Sequence, residues 1–192
     1  MKRKLKLDEK DFEIISLVQE NPEISQKEIA EKVGLSQPSI SARLRKLKKM
    51  RVIAINAGVD ISKMGLFLAK IDLTTKNAIE LLDKLAPCPY FVSAYATSGR
   101  NNLSIFLMGE DLSTLESIAE YRLRSNPDIL DVNFSVVIAS RGKTIYPVRL
   151  IVKKQKEAPC NLDCSVCPYY SMKRCLGCPI TGYYKGGFWK VI

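Results

Sequence analysis

The sequence predicts an α+β protein with three parts: an N-terminal winged helix-turn-helix (residues 1–60), a βαββαβ ferredoxin-like domain (residues 61–142) and a short metal-stabilised cysteine tail (residues 159–192). Helix-capping patterns in the first 50 residues, alternating strand and helix patterns in the middle, and five of the six cysteines near the C-terminus indicate this division. Residues 143–158 are basic, and their apolar residues show no helical or strand periodicity, so we expect a linker there.

Two helices are predicted before residue 35. Asp8 can cap a first helix that runs to about residue 20, where Asn21-Pro22 stops it. Ser25 and Glu28 form the S-x-x-E capping box of a second helix. Gly34 follows that helix and is the residue best able to adopt a left-handed helix-ending conformation. A tightly spaced third helix would complete a helix-turn-helix unit.

The third helix is predicted to begin after Ser36, with Pro38 in its first turn and with Ile40, Leu44 and Leu47 on its apolar side. Its other side carries short polar residues near the N-terminus and basic residues further along. Short polar side chains can reach base edges in the major groove, and Arg and Lys bind phosphate. The predicted DNA-binding residues are Gln37, Ser39, Ser41, Arg43, Arg45, Lys46 and Lys49.

A wing is predicted after this helix. Residues 51–56 alternate like a strand, Asn56-Ala57-Gly58 supplies a turn, and Val59 would begin the return strand.

The middle of the chain shows the order βαββαβ. The pattern predicts strands over 66–73, 90–97, 103–108 and 129–139, and helices over 77–85 and 112–123. In the first of these helices we expect Ile79, Leu82 and Leu85 to face inward. Such a sheet has one face free of helices, and we expect two copies of the chain to pair there.

The chain resembles the Lrp/AsnC (feast/famine) family of transcriptional regulators over about residues 7–140. The stretch LDEKDFEIISLVQENPEISQKEIAEKVGLSQPSISARLRKLKKMRVI and the βαββαβ segment after Gly65 carry this resemblance. The resemblance implies duplex DNA binding by the third helix, no enzymatic activity, and dimerisation through the second domain, often with higher assembly. It also implies a small-molecule effector bound between protomers.

The turn between the second and third predicted strands departs from the family pattern. Amino-acid-sensing members usually have a Gly-Asp-x-Asp-like turn, whereas this chain has Gly99, Arg100, Asn101 and Asn102. An amino acid's ammonium group needs a carboxylate partner, and this turn supplies a cation and neutral amides instead. As an effector-binding site, the turn therefore fits an anionic ligand, or none, better than an amino acid; a plain hairpin is the alternative.

The cysteine tail has the spacing C-x3-C-x2-C-x7-C-x2-C. Its predicted metal ligands are Cys160, Cys164, Cys167, Cys175 and Cys178. The chain has no histidine, so sulfur must supply most of the ligands. Either Zn²⁺ bound by the last four cysteines or a [4Fe–4S] cluster that also uses Cys160 satisfies the spacing, and a disulfide framework is the third alternative.

A metal would supply folding energy to a tail with few aliphatic residues. Gly177 is expected to permit a tight backbone between the last two cysteines, and the aromatic residues of the tail to form a small core or dock on the preceding domain. Cys88 lies outside the cluster, and we expect it to be a packing residue.

The net charge of +10 lies mainly in residues 1–60 and 143–192, which is typical of a partner for nucleic acid. No segment is long and apolar enough to predict a membrane span or signal peptide, so we expect a cytoplasmic protein. Two other functions stay open. Some haem-biosynthesis decarboxylases resemble this fold, although the absence of histidine disfavours a tetrapyrrole enzyme, and the tail could be a structural zinc module that recruits another protein.

Overall fold

The computed structural model describes residues 6–141 and 145–192 of the chain. The chain divides into two compact units, Met1–Asn56 and Ala57–Ile192. The sequence predicts the first boundary at residue 60, and a linker and a tail that are separate from the second domain. In the structure both belong to the second unit.

Three helices form the first unit: α1 (Glu9–Glu20), α2 (Gln26–Val33) and α3 (Gln37–Lys49). Asp8 caps α1 and Ser25 closes the capping box of α2, as predicted, and Asp8 also forms a reciprocal capping box with Asp11. Gly34 ends α2 with a φ of 71°, which confirms the left-handed C-cap. Ser36 occupies the N-cap position of α3, but its side chain makes no capping hydrogen bond.

The core of the first unit is built from one apolar side of each helix. Ile14, Ile29, Ile40 and Leu47 are almost completely buried, and Ile53 joins them from beyond α3. This arrangement confirms the predicted inner side of α3 and leaves its polar side facing outward.

The predicted wing hairpin is not formed. Residues 51–56 contain no strand, because Arg51 adopts a left-handed φ of 54° and the Val52 amide closes the end of α3 by donating to the Leu47 carbonyl. The strand that begins at Val59, β1 (Val59–Asp60), pairs instead with β6 (Ile145–Tyr146) in the second unit.

A four-stranded antiparallel sheet organises the second unit. Its strands are β2 (Phe67–Thr75), β3 (Phe91–Ala96), β4 (Leu103–Gly109) and β5 (Ile129–Val136), in the order β3-β4-β2-β5. The helix α4 (Ala78–Leu85) follows β2, and α5 (Leu112–Ile118), which continues as a π-helix over Ala119–Arg124, follows β4. This connectivity confirms the predicted βαββαβ order.

The two sides of this sheet differ. Ile71 and Leu73 on β2 and Ile105 on β4 are completely buried in the hydrophobic core of the second unit, which is called the main core below. Lys70 and Asp72, which alternate with the two β2 residues, are only partly buried.

The predicted inner residues of α4 are partly wrong. Ile79 is 62% exposed, while Leu81 is 8% exposed. The inner side of α4 is set by the i, i+4 pair Leu81 and Leu85, and Leu82 lies only at its edge.

The tail shares the core of the ferredoxin-like domain and forms no separate module. Strand β7 (Ile151–Val152) pairs in parallel with β8 (Lys190–Val191), and the short helix α6 (Pro168–Ser171) lies among the cysteines. Val152, Ile180 and Trp189 are buried in the main core. Residues 145–158 are therefore part of the domain and not a free linker.

No helix in the described parts of the chain is long and apolar enough to cross a membrane.

Candidate functional sites

The outward side of α3 is polar and ends in a basic turn. Gln37, Arg45, Lys46 and Lys49 are exposed, and the predicted residues Ser39, Ser41 and Arg43 are partly buried. Within residues 6–141 and 145–192, neither Arg45 nor Lys49 pairs with a carboxylate. Their charges are therefore available to an outside anion.

Arg43 differs from the other predicted DNA-binding residues because it binds two carboxylates of its own unit. Its Nη1 atom lies 2.7 Å from both Asp8 and Asp11, and Asp11 is completely buried. Lys46 Nζ lies 3.5 Å from Asp11. The hydrogen bond from Arg43 lowers the pKa of Asp8 below its ordinary value. Arg43 therefore joins α1 to α3. The only sequence signal for this role is that Asp11 lies on the side of α1 that faces the core.

The turn at residues 99–102 is held to β2 by its own polar groups. The Asn102 side chain accepts a hydrogen bond of 2.9 Å from the Thr75 amide and donates one of 2.7 Å to the Thr75 carbonyl. The Thr74 hydroxyl donates to the Arg100 carbonyl over 2.7 Å. The side chain of Asn102 is thus occupied within the fold, whereas Arg100 is exposed.

A cavity of about 630 Å³ lies between the sheet and the segment after β6. Phe91, Met108 and Ile180 contribute apolar walls, and Arg149 and Lys153 contribute positive charge. Its size and chemistry suit a small anionic molecule with an apolar part.

All six cysteines line one smaller cavity of about 70 Å³. The tail contributes the five predicted ligands, and the sixth thiol is Cys88, from the turn between α4 and β3. Cys167 is buried, and the other five are partly buried. Cys88 packs against the core of the second unit, which confirms the packing role predicted for it. Nothing in its local sequence links it to the tail.

The thiols surround the cavity and do not converge on a point. In the described parts of the chain, no three Cys, Asp or Glu side chains stand close enough to hold one metal ion. A zinc site needs sulfur at about 2.3 Å from the ion, so the thiols would have to move inward to bind one. The donor set itself, several thiols around a small partly closed space, fits both zinc and an iron–sulfur cluster.

Burial raises the pKa of several of these thiols. It raises the pKa of Cys175 to about 11 and that of Cys178 to about 12. The neighbouring thiols of Cys88, Cys160 and Cys164 raise the pKa of Cys178 further. A bound cation reverses this effect, because a coordinating thiol is deprotonated.

The second CxxC unit, Cys175–Cys178, is fixed to the ferredoxin-like domain by hydrogen bonds. The Tyr90 hydroxyl donates to the Gly177 carbonyl over 2.6 Å, and the Leu176 amide donates to the Thr114 hydroxyl over 2.9 Å. Gly177 has a φ of 84°, which confirms the tight backbone predicted there.

The last residues of the tail are fixed by one carboxylate. Glu110 accepts hydrogen bonds from the amides of Gly187 (2.7 Å) and Phe188 (2.9 Å) and from the Tyr184 hydroxyl. Trp189 makes edge contacts with Tyr184 and Phe188, and no hydrogen-bond partner for its buried Nε1 lies among the described residues. The tail aromatics therefore dock on the domain, one of the two predicted arrangements.

Comparison with known proteins gives consistent matches. Residues 7–54 match the family described as winged helix-turn-helix DNA-binding. The chain is 27% identical over 146 residues to transcriptional regulator AzlB of Bacillus subtilis (strain 168), covering 72% of this chain and 93% of AzlB. It is 25% identical to the regulator LrpC of the same organism, covering 72% and 99%. The solved structure of Escherichia coli AsnC superposes with a TM-score of 0.62 at 21% identity, covering 73% and 99%.

Proposed function

We propose that this chain, a DNA-binding transcriptional regulator of the Lrp/AsnC type, reads duplex DNA with the outward side of α3 and is stabilised or redox-regulated by a metal centre on its tail cysteines. The chain is not an enzyme, in line with relatives that are named as transcriptional regulators. The observation that carries the DNA half of the proposal is the exposed basic face of α3 inside a matched winged helix-turn-helix.

The residues of α3 divide by role in this proposal. In it, Gln37, Ser39 and Ser41, near the N-terminus of the helix, contact base edges in the major groove. Arg45 and Lys49 bind phosphate in the same proposal. Arg43 supports the site by holding α3 against α1, so its loss would weaken binding through the fold.

Salt-dependent binding of duplex DNA tests this half. In fluorescence anisotropy, Arg45→Gln and Lys49→Gln should each weaken binding to every sequence and reduce the slope of log affinity against log salt by about 0.9. Lys63→Gln, an exposed basic position outside α3, serves as the matched control and should leave the slope unchanged. Wild-type slopes in both α3 variants would exclude α3 as the phosphate-binding helix.

The metal half of the proposal rests on the cavity lined by the tail thiols. Cys164, Cys167, Cys175 and Cys178 would hold a structural zinc ion, and Cys160 adds a further ligand for a [4Fe–4S] cluster. Either centre adds binding free energy to the folded tail. An iron–sulfur centre would also make the tail sensitive to oxidation.

Replacing Cys164 and Cys167 together by serine tests this half. We expect the variant to lose its metal, and DNA affinity to change with the metal if the centre regulates the protein. A colourless tail whose loss leaves DNA affinity unchanged would instead support the structural zinc module. Full metal content in the double variant would overturn the assignment.

The sheet face opposite the helices supports a homo-oligomer in this proposal. Lys70 and Asp72 form a 2.7 Å ion pair there, Ser104 donates to Asp72, and Tyr95 is 59% exposed and makes an edge contact with Phe106. Pairing of two such faces would cover these aromatic rings. Light scattering on the full chain should give at least a dimer, and a strictly monomeric protein would contradict this part.

An effector of this regulator is proposed to be anionic. Arg100 is exposed in the 99–102 turn, and Arg149 and Lys153 line the cavity of about 630 Å³. Thermal unfolding in the presence of free amino acids and of small carboxylates or phosphates tests this choice. Stabilisation by amino acids alone would contradict it.

A further inference from the structure

Cys88 is held in position by the ferredoxin-like domain and not by the tail. Its amide donates to the Leu85 carbonyl at the end of α4, and its carbonyl accepts from the Phe91 amide at the start of β3, each over 2.9 Å. Pro87 and Pro89 flank it and restrict the backbone on both sides. The backbone of Cys88 is therefore held in place by the turn between α4 and β3.

The partners of Cys88 in the cavity are tail thiols. Cys88 lines the same space as the five tail cysteines. Tyr90, two residues after Cys88, holds Gly177, which lies between Cys175 and Cys178. The second CxxC unit is thus anchored beside Cys88 through a buried hydrogen bond.

The segment with Cys160, Cys164 and Cys167 is anchored more locally. The amides of Asn161, Ser165 and Cys167 bond to groups two or three residues away in sequence. The named hydrogen bonds of Cys88 and of the second CxxC unit thus tie them to the ferredoxin-like domain, whereas those named for the first three cysteines are local.

We infer that Cys88 is a sixth thiol of the metal site and takes one of the four ligand positions in place of a tail cysteine, with tail cysteines filling the others. This inference deepens and rests on the proposed metal centre. A centre that uses Cys88 ties the tail directly to the turn between α4 and β3, so gain or loss of metal acts on the domain that carries the sheet.

Alkylation of each cysteine in the full chain tests the inference. Three samples are prepared under nitrogen: protein stripped with a chelator, protein loaded with Zn²⁺ alone, and protein reconstituted with ferrous iron and sulfide. Each sample is treated with iodoacetamide, and the modified cysteines are identified by peptide mass spectrometry. We expect loading to slow the alkylation of Cys88 and of at least three tail cysteines by about tenfold or more. Protection of the tail cysteines alone, with Cys88 modified at the same rate as in the stripped protein, would overturn the inference.

A variant gives an independent readout. Cys88→Ser should weaken metal binding by about tenfold or more, while Ala86→Ser, which adds a hydroxyl in the same turn, should bind like the wild type. Wild-type affinity in Cys88→Ser refutes the role of Cys88 and leaves the metal centre standing. A wild-type chain that takes up neither zinc nor iron and sulfide refutes both, so the two failures are distinguishable.

Discussion

The Tyr90 hydroxyl donates a buried 2.6 Å hydrogen bond to the Gly177 carbonyl, across 87 residues of sequence. Gly177 adopts a φ of 84°, and a Cβ atom there would meet the backbone of Tyr183. The bond therefore depends on a backbone shape that glycine permits. It fixes one of the two CxxC units against the domain that carries the sheet.

Tyr90→Phe should destabilise the second unit by about 1–3 kcal/mol, because the ring contacts stay while the Gly177 carbonyl loses its buried partner. Denaturant unfolding of the full chain measures this loss. Tyr95→Phe removes an exposed hydroxyl and should change stability by less than about 0.5 kcal/mol. Equal effects of the two substitutions would show that the Tyr90 bond contributes little.

Two adjacent glycines should respond differently to alanine. A Cβ atom at Gly186 would overlap the Glu110 carboxylate and the Tyr184 ring, whereas at Gly187 its nearest neighbour is Glu110 Oε1 at 3.8 Å. Gly186→Ala should cost roughly 1–3 kcal/mol and expose the C-terminal segment to protease, and Gly187→Ala should be nearly neutral. Cleavage at the same rate in both variants would contradict the docking of this segment by Glu110.

Substitutions in the 99–102 turn should differ in their effect on stability. Asn102→Ala removes both hydrogen bonds to the Thr75 backbone and should destabilise the protein by about 1–3 kcal/mol. Arg100→Ala should leave stability unchanged, because its side chain is exposed. Thermal unfolding of both variants measures the difference. A larger loss in Arg100→Ala would show that the arginine, and not the amide, holds the turn.

The ion pair between Asp8 and Arg43 predicts a pH dependence of the first unit. The hydrogen bond from Arg43 lowers the folded-state pKa of Asp8 below its ordinary 3.8. The stability that this pair contributes is therefore complete above pH 3.8 and is lost as the pH falls through the lowered pKa. NMR titration of the Asp8 carboxyl group should show the lowered pKa in the wild type and in Arg45→Gln, and a return toward 3.8 in Arg43→Gln. An ordinary pKa in the wild type would contradict the pairing.

Local signals in the sequence predict most of the secondary structure. The caps at Asp8, Ser25 and Gly34 depend only on residues a few positions away, so their patterns identify helix ends directly. The predicted wing strand at residues 51–56 failed because Arg51 takes a left-handed conformation and Ile53 joins the helical core. The alternating pattern of this segment indicates neither the left-handed conformation of Arg51 nor the burial of Ile53.

Long-range contacts explain what sequence reasoning missed. Cys88 has no neighbouring cysteine, and only the fold of the turn between α4 and β3 brings it to the thiol cavity. Arg43 fits a DNA-contacting pattern, but the buried carboxylate of Asp11, 32 positions earlier, binds it. The aromatic residues of the tail predict docking on the preceding domain but not its position, and only the fold shows Trp189 and Ile180 buried in the core of the ferredoxin-like domain.

The most direct measurement of the central claim is the metal and sulfide content, with the visible spectrum, of the full chain purified without oxygen. A thiol-bound centre in a DNA-binding regulator predicts either about one zinc per chain in a colourless protein or iron with sulfide in a brown one. Protein that carries no stoichiometric metal, and takes up none from zinc or from iron and sulfide, would contradict the account.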